Sequence, residues 1–277
     1  MPRLAISEFS TYRWSLEQEI QELIRRGIRE IGIWRTKLSD LEIDQAADML
    51  YAADIRVSSL SWAGGFTGSC GMTHEDAIDD ALLAVRTASR IGAECLIVHP
   101  GNIHGHTRRH AMRLFRTAID RLLPSAVDYG VSLGVELMSR EQAPEWTIFE
   151  SLESTVDFVA GYGTAHVGLV LDLFHTATEP DLLRQSARII PHVHLVQMSD
   201  RLQFDGSDYR CLPGDGIVPV QRWYDALEDA GYQGAYEFEL HGPRFGHLRY
   251  RKMLDDSIRS LDQLHQQRVR NRSLSAS

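Results

Sequence analysis

Along the whole of the 277-residue chain, short β-branched apolar runs alternate with longer stretches of helical period. Apolar runs of strand length between amphipathic segments read as parallel strands joined by crossover helices. The predicted strands are Leu4–Ile6, Glu30–Trp34, Ile55–Trp62, the CLIVHP run through His99, Val131–Leu137, Val167–Leu173, Val193–Met198 and Ala235–Leu240. Helices are predicted from Ser15 to Gly27, Ser39 to about Ala53, Thr73 to about Gly92, Arg108–Tyr129, Phe149–Ala160, Pro180–Ile190, Pro219–Ala230 and Gly246–Gln267. Ser15 with Gln18, and Ser39 with Glu42, have the spacing of capping boxes, and Gly27 and Gly130 are helix stops. Asp200–Val218 reads as the longest loop. Eight βα units without an internal linker predict one α/β domain, a single (β/α)8 TIM barrel over residues 1–268, with a polar, disordered tail at 269–277.

Four of these strands end on a group able to hold a divalent cation: Glu136, Asp172, Gln197 and Glu239. One buried strand-end carboxylate is an accident of a wet edge or a helix cap. Four in order point to the C-terminal mouth of a barrel, where strand ends converge. An open doubly wound sheet would not bring four consecutive groups to one spot. Stepping back by twos gives Gly134 and Ser132 beneath Glu136, and Gly168 beneath Asp172, small residues that suit a barrel interior. The same step puts a second carboxylate, Glu237, beneath Glu239 with no partner legible in the sequence.

Composition narrows the chemistry. A net charge of −9 argues against a nucleic-acid partner. Cys70, Cys95 and Cys211 form no CxxC pair, which fits a reducing cytoplasmic setting. No apolar run has the length of a membrane span, and MPRLAISEFS has no signal-peptide core. Lys37 and Lys252 are the only lysines among 29 basic residues, and neither ends a strand, so Schiff-base chemistry lacks a nucleophile. Three carboxylates with the Gln197 amide make an all-oxygen shell suited to Mn²⁺ or Mg²⁺, with Co²⁺ or Zn²⁺ as softer alternatives. Before a cation binds, such a shell should be strained or hold a proton at neutral pH. His99, Trp34 and Trp62 also end strands and are candidates to face substrate, with core packing as the competing reading. His104, His106 and His110 have unpersuasive metal spacing, and GGFTGSCG at 64–71 reads as a turn.

In order, VEL at 135–137 with Glu136, DLFH at 172–175, LVQMSD at 195–200, PGDG at 213–216 and GYQGAYEFEL at 231–240 resemble the xylose isomerase-like barrel superfamily. That group includes D-tagatose 3-epimerase, inosose-processing enzymes, a class of 3-dehydroshikimate dehydratases and endonuclease IV. The resemblance implies a metal-dependent sugar isomerase or epimerase of carbohydrate metabolism, acting on a small keto sugar or keto-polyol through an enediolate. It implies acid–base roles for Glu136 and Glu239, and substrate contacts for His175 and Arg201, although Arg201 also reads as a solvated loop charge. Gln197 departs from the histidine of most relatives; the dehydratases are similar in carrying glutamine there. A lyase acting on a dehydroshikimate-like or keto-sugar substrate is therefore the second reading. A nuclease needs a histidine-rich three-metal site, and a non-catalytic sugar-binding barrel sits poorly with the two glutamates. The expected partner is a small-molecule sugar or polyol; self-association into a homo-oligomer stays open.

Overall fold

The computed structural model describes residues 2–242, 245 and 249–275. Eight parallel strands close into a barrel: β1 (Arg3–Ser7), β2 (Glu30–Trp34), β3 (Arg56–Gly64), β4 (Ala93–His99), β5 (Ser132–Glu136), β6 (Val167–Asp172), β7 (Val193–Met198) and β10 (Ala235–Phe238). β10 pairs with β1 and β7, so no barrel edge is left unpaired. The other two strands, β8 (Asp200–Phe204) and β9 (Ser207–Cys211), form an antiparallel hairpin after β7. The outer layer includes α1 (Leu16–Arg25), α2 (Ile43–Ala52), α3 (His74–Arg90), α4 (Arg108–Tyr129), α5 (Leu152–Ala160), α8 (Val220–Asp229) and α9 (Tyr250–Ser275), with the short α6 (Leu173–Thr176) and α7 (Ser186–Ile189).

The barrel has two hydrophobic layers because strand side chains alternate. Leu, Ile and Val on the outer face join the helices in one large core, whereas Ala5, Cys95, Ile97, Val170, Leu195 and Ala235 make a smaller cluster inside the barrel. The inner set shares parity with His99, Asp172, Gln197 and Glu237, so β4, β6, β7 and β10 carry apolar filling toward their bases and polar groups toward their C-terminal ends. Gly134 is small for a packing reason: a Cβ there would lie 2.5 Å from Cys95 Sγ and 2.6 Å from Val170 Cγ2.

Several expected boundaries move. The Ser15 hydroxyl caps α1 by accepting from Gln18 N, but α2 starts at Ile43 without a side-chain cap, because residues 35–40 form a separate 3₁₀ turn in which Ser39 donates to Thr36 O. The segment expected as one helix over 180–190 is broken into 3₁₀ and α turns. α9 runs to Ser275, over most of the stretch expected as a tail; Gly246, the expected start of this helix, lies outside the described residues.

The expected long loop at 200–218 is mostly the β8–β9 hairpin. Asp205 and Gly206 both have positive φ, 51° and 73°, the geometry of a two-residue turn that matches strand twist. At the hairpin base, buried Asp200 accepts from the backbone N–H groups of Gly214, Gly216 and Val218. Those bonds fold the PGDG segment back against β8.

Candidate active site

A cavity of about 580 Å³ opens at the C-terminal mouth of the barrel, with Glu136, His99, Gln197 and Glu239 in its lining. His175 comes in from α6, because the Asp172 carboxylate caps that short helix by accepting from Phe174 N. One turn later the His175 Nε2 lies 3.7 Å from Asp172 Oδ2. Among the described residues, Glu136, Asp172 and His175 form a group whose donor atoms all lie within 4.8 Å of one another, a spacing that suits a cation.

The structure adds a residue that the strand-end pattern did not suggest. Arg210, on β9, reaches back beneath the hairpin and is almost wholly buried. Its guanidinium donates to both Asp172 oxygens at 3.1 and 2.6 Å and to Ser199 Oγ at 2.7 Å, and lies 3.3 Å from Glu239 Oε1. It also covers the Phe174 ring at 4.8 Å. The carboxylates therefore share a resident positive charge, where the sequence suggested an uncompensated shell. The signal that would have exposed Arg210 is the Asp205-Gly206 pair between alternating residues, which specifies a hairpin and hence which side chains of 207–211 turn inward.

The two glutamates are driven in opposite directions. Burial, then the charges of Asp172 and Glu239, hold Glu136 well above the usual carboxylate range despite Arg210. Burial is the largest influence on Glu239 and opposes its ionisation, but Arg210, His241 and Ser7 together outweigh it and hold that carboxyl down at about 2. Burial lowers His99 and His175 to about 4 against the nearby carboxylates, so both rings are neutral at pH 7 with a lone pair to offer. His99 Nε2 lies 3.4 Å from Glu136 Oε2. Gln197 Nε2 donates to Glu239 Oε2 at 2.8 Å, leaving the buried Gln197 Oε1 without a hydrogen-bond partner among the described residues.

Glu237 acquires partners for one oxygen, while its buried Oε1 has no hydrogen-bond partner among the described residues. Ser58 and Ser59 donate to its Oε2 at 2.6 and 2.8 Å, and Gly32 opens the space: a Cβ there would lie 2.4 Å from the same oxygen. Burial nevertheless raises Glu237 to about 7, with the serines pulling the other way.

Not every candidate faces the cavity. Trp62 does, packed edge-to-face on Trp146 at 4.8 Å, and both rings contact His99 at 5.6 Å. Trp34 lies behind Phe9, with ring centroids 5.0 Å apart, and it is Phe9 that lines the cavity. Arg201 is also off the lining. It is buried in a two-bond pair with Asp208 and lies 5.7 Å from the Phe174 ring centroid, so a solvated loop charge does not describe it. Asp172 is wholly buried behind the surface and meets the site through Arg210 and His175. Trp146, His241, Met138 and Tyr209 line the cavity from loops and the hairpin, where strand periodicity gives no signal.

Two other clusters resolve as structural. Lys37 bridges the buried Glu8 and Glu19 at 3.2 and 2.7 Å, away from the cavity. His106 and His110 stack at 4.7 Å but are tied to Thr67 O and Arg113. The GGFTGSCG turn is anchored through Thr67, which donates to Asn102 O.

A closed eight-stranded parallel barrel gathers carboxylates, imidazoles and an amide in a cavity at its C-terminal mouth. The chain belongs to the xylose isomerase-like TIM barrel family, whose sequence profile matches residues 20–264. It is 32% identical over 136 residues to D-psicose 3-epimerase of Enterocloster bolteae, covering 48% of this chain and 40% of that protein. It is 26% identical over 140 residues to inosose isomerase of Bacillus velezensis, covering 49% of this chain and 47% of that protein. The matched stretch thus spans less than half the length of each of these curated relatives. The fold superimposes on the IOLI protein, solved with a bound zinc atom, with a TM-score of 0.79 at 20% identity over 95% of this chain and 97% of that one. Among the described residues, no helix is long and apolar enough to cross a membrane.

Proposed function

We propose that this chain is a divalent-metal-dependent isomerase or epimerase that moves a proton beside the carbonyl of a small keto sugar or keto-polyol, through an enediolate. The observation that carries this reading is that Glu136 and Glu239 line one cavity, with Glu136 in a group of ligand spacing. Two carboxyls on one cavity wall suit the acid and the base of a proton transfer. Glu239, kept ionised, takes the proton from the carbon next to the carbonyl. Glu136 returns one. His99 beside Glu136 and the Trp62–Trp146 wall hold the apolar face of the substrate and keep water from the reacting carbon.

The donor set fits a cation. Glu136, Asp172 and His175 have ligand spacing, and the orphaned Gln197 Oε1 and the Glu239 carboxylate are further donors. When bound, a divalent cation would draw electron density from the substrate oxygens and lower the cost of their developing charge. His175 brings nitrogen into a set first read as all-oxygen, which widens the suitable ions from Mn²⁺ and Mg²⁺ toward Co²⁺ and Zn²⁺. The epimerase and isomerase names of the relatives and the zinc in the IOLI structure support the reading. Gln197 favours a second one, the lyase that expels a β-hydroxyl through the same enolate.

The test is proton exchange with solvent deuterium across a panel of keto sugars and 3-dehydroshikimate, with and without Mn²⁺. We expect metal-dependent deuterium at the carbon beside the carbonyl of a keto sugar, lost in Glu136→Gln and in Glu239→Gln. Near-normal exchange in both variants refutes the acid–base assignment, and net loss of water from 3-dehydroshikimate moves the protein to the lyase class.

A further inference from the structure

The least expected group in the barrel is the carboxyl of Glu237, which sits below the site and is fully buried. A buried carboxylate costs free energy unless something nearby needs it, and an alanine would satisfy the apolar floor. Its neighbour across the sheet is Gln197: the register of β10 on β7 pairs Glu237 directly with it. The Gln197 amide is therefore flanked by Glu237 in register and by Glu239, to which its Nε2 donates. The oxygen and nitrogen of an amide are alike in shape and differ in what they bond. The –NH₂ end donates to Glu239, and the Oε1 of the register-paired Glu237 has no hydrogen-bond partner among the described residues, so an ionised Glu237 favours the same end of the amide. The reversed rotamer would set Oε1 against carboxylate oxygens and turn –NH₂ toward the cation.

We infer that Glu237 is a positioning residue, which holds the Gln197 amide with Oε1, rather than Nε2, presented to the cation site. Three features of the structure support it. Ser58 and Ser59 fix one Glu237 oxygen from below, which sets the carboxylate plane. Gly32 leaves room for a carboxylate where any side chain would collide with it. The Gln197 Oε1, once the nitrogen is committed to Glu239, has no donor among the described residues and so keeps its lone pairs. The barrel floor thus supplies orientation to an amide that, unlike an imidazole, presents either a donor or an acceptor at the same place. The inference rests on the metal-dependent reading above.

The test is Mn²⁺ titration by calorimetry into chelator-stripped protein, for wild type, Glu237→Gln, Gln197→Ala and the double variant. An amide at 237 offers its own –NH₂ and lets Gln197 reverse, so Glu237→Gln should weaken Mn²⁺ binding by about 10–100-fold. In the Gln197→Ala background there is no amide to orient, and the same change should alter Mn²⁺ affinity by less than about twofold. An equal loss in both backgrounds means that Glu237 is only structural and overturns the inference, as does the absence of a loss in wild-type background. A wild type that binds no Mn²⁺ overturns the metal reading itself, and this inference with it. Should Glu237→Gln lose its near-ultraviolet circular dichroism, Ser59→Ala replaces it. Removing one donor from Oε2 should weaken Mn²⁺ binding by roughly threefold, again only with Gln197 present, and an unchanged affinity overturns the inference.

Discussion

Arg210 is the residue on which the electrostatics of the metal-free site turn, and Arg210→Met is the perturbation that exposes it. Methionine keeps much of the aliphatic length over Phe174 and removes the charge. In the structure that charge makes two bonds to the wholly buried Asp172 and lies 3.3 Å from Glu239 Oε1. Removing one partner of such a buried pair costs about 3–5 kcal/mol, because the other is left uncompensated. Proton uptake by one of the freed carboxyls puts the loss toward the lower figure at neutral pH. For a chain of this size it corresponds to a fall in Tm of about 5 °C. The pH dependence has a definite sign. Glu239 has its folded pKa depressed to about 2 from an ordinary 4.5, so its pairing stabilises above pH 4.5 and is lost as pH falls toward 2. The gap between wild type and Arg210→Met should therefore narrow on acidification below about pH 4.5. Thermal unfolding followed by circular dichroism, in chelator and from pH 3 to 8, measures both. Added Mn²⁺ should raise Tm more in the variant than in wild type, since the cation meets carboxylates with no resident charge beside them. A gap under about 2 °C at pH 7, or one that widens in acid, refutes the reasoning.

Other expectations follow from single contacts. Gln197→His should shift metal preference from Mn²⁺ or Mg²⁺ toward Co²⁺ or Zn²⁺, read as relative affinities by competition titration. An unchanged preference would take residue 197 out of the ligand set. Gly32→Ala drives a Cβ into the Glu237 carboxylate and should cost about 1–3 kcal/mol in denaturant unfolding, a loss largely removed when Glu237→Ala is added. Phe204, 69% exposed beside the hairpin turn, offers a chymotrypsin site. Cleavage there should slow when a competent ligand packs against Tyr209 and Arg210, and equal rates with and without it would show that the hairpin takes no part in closure.

Periodicity along the chain determined the barrel. Strand alternation and helical period are local properties, each set by burying one face or one stripe, and eight repeats of the pair leave little but closure into a cylinder. The same alternation put Glu136, Asp172, Gln197 and Glu239 at strand ends, and put Glu237 one step below. What the sequence did not hold was the meeting of side chains from distant elements. That Glu237 rests on Ser58 and Ser59, that His175 folds back on Asp172, and that Arg201 is taken by Asp208 depend on strand register and on short-range turns in three dimensions. Arg210 is the clearest case. From composition it is one arginine among many, and only the hairpin, built by the positive-φ turn at Asp205-Gly206, carries its charge between carboxylates on β6 and just beyond β10. Burial there strengthens every charge–charge contact, so the leanings of Glu136 and Glu239 follow from tertiary distance, to which no one-dimensional pattern has access.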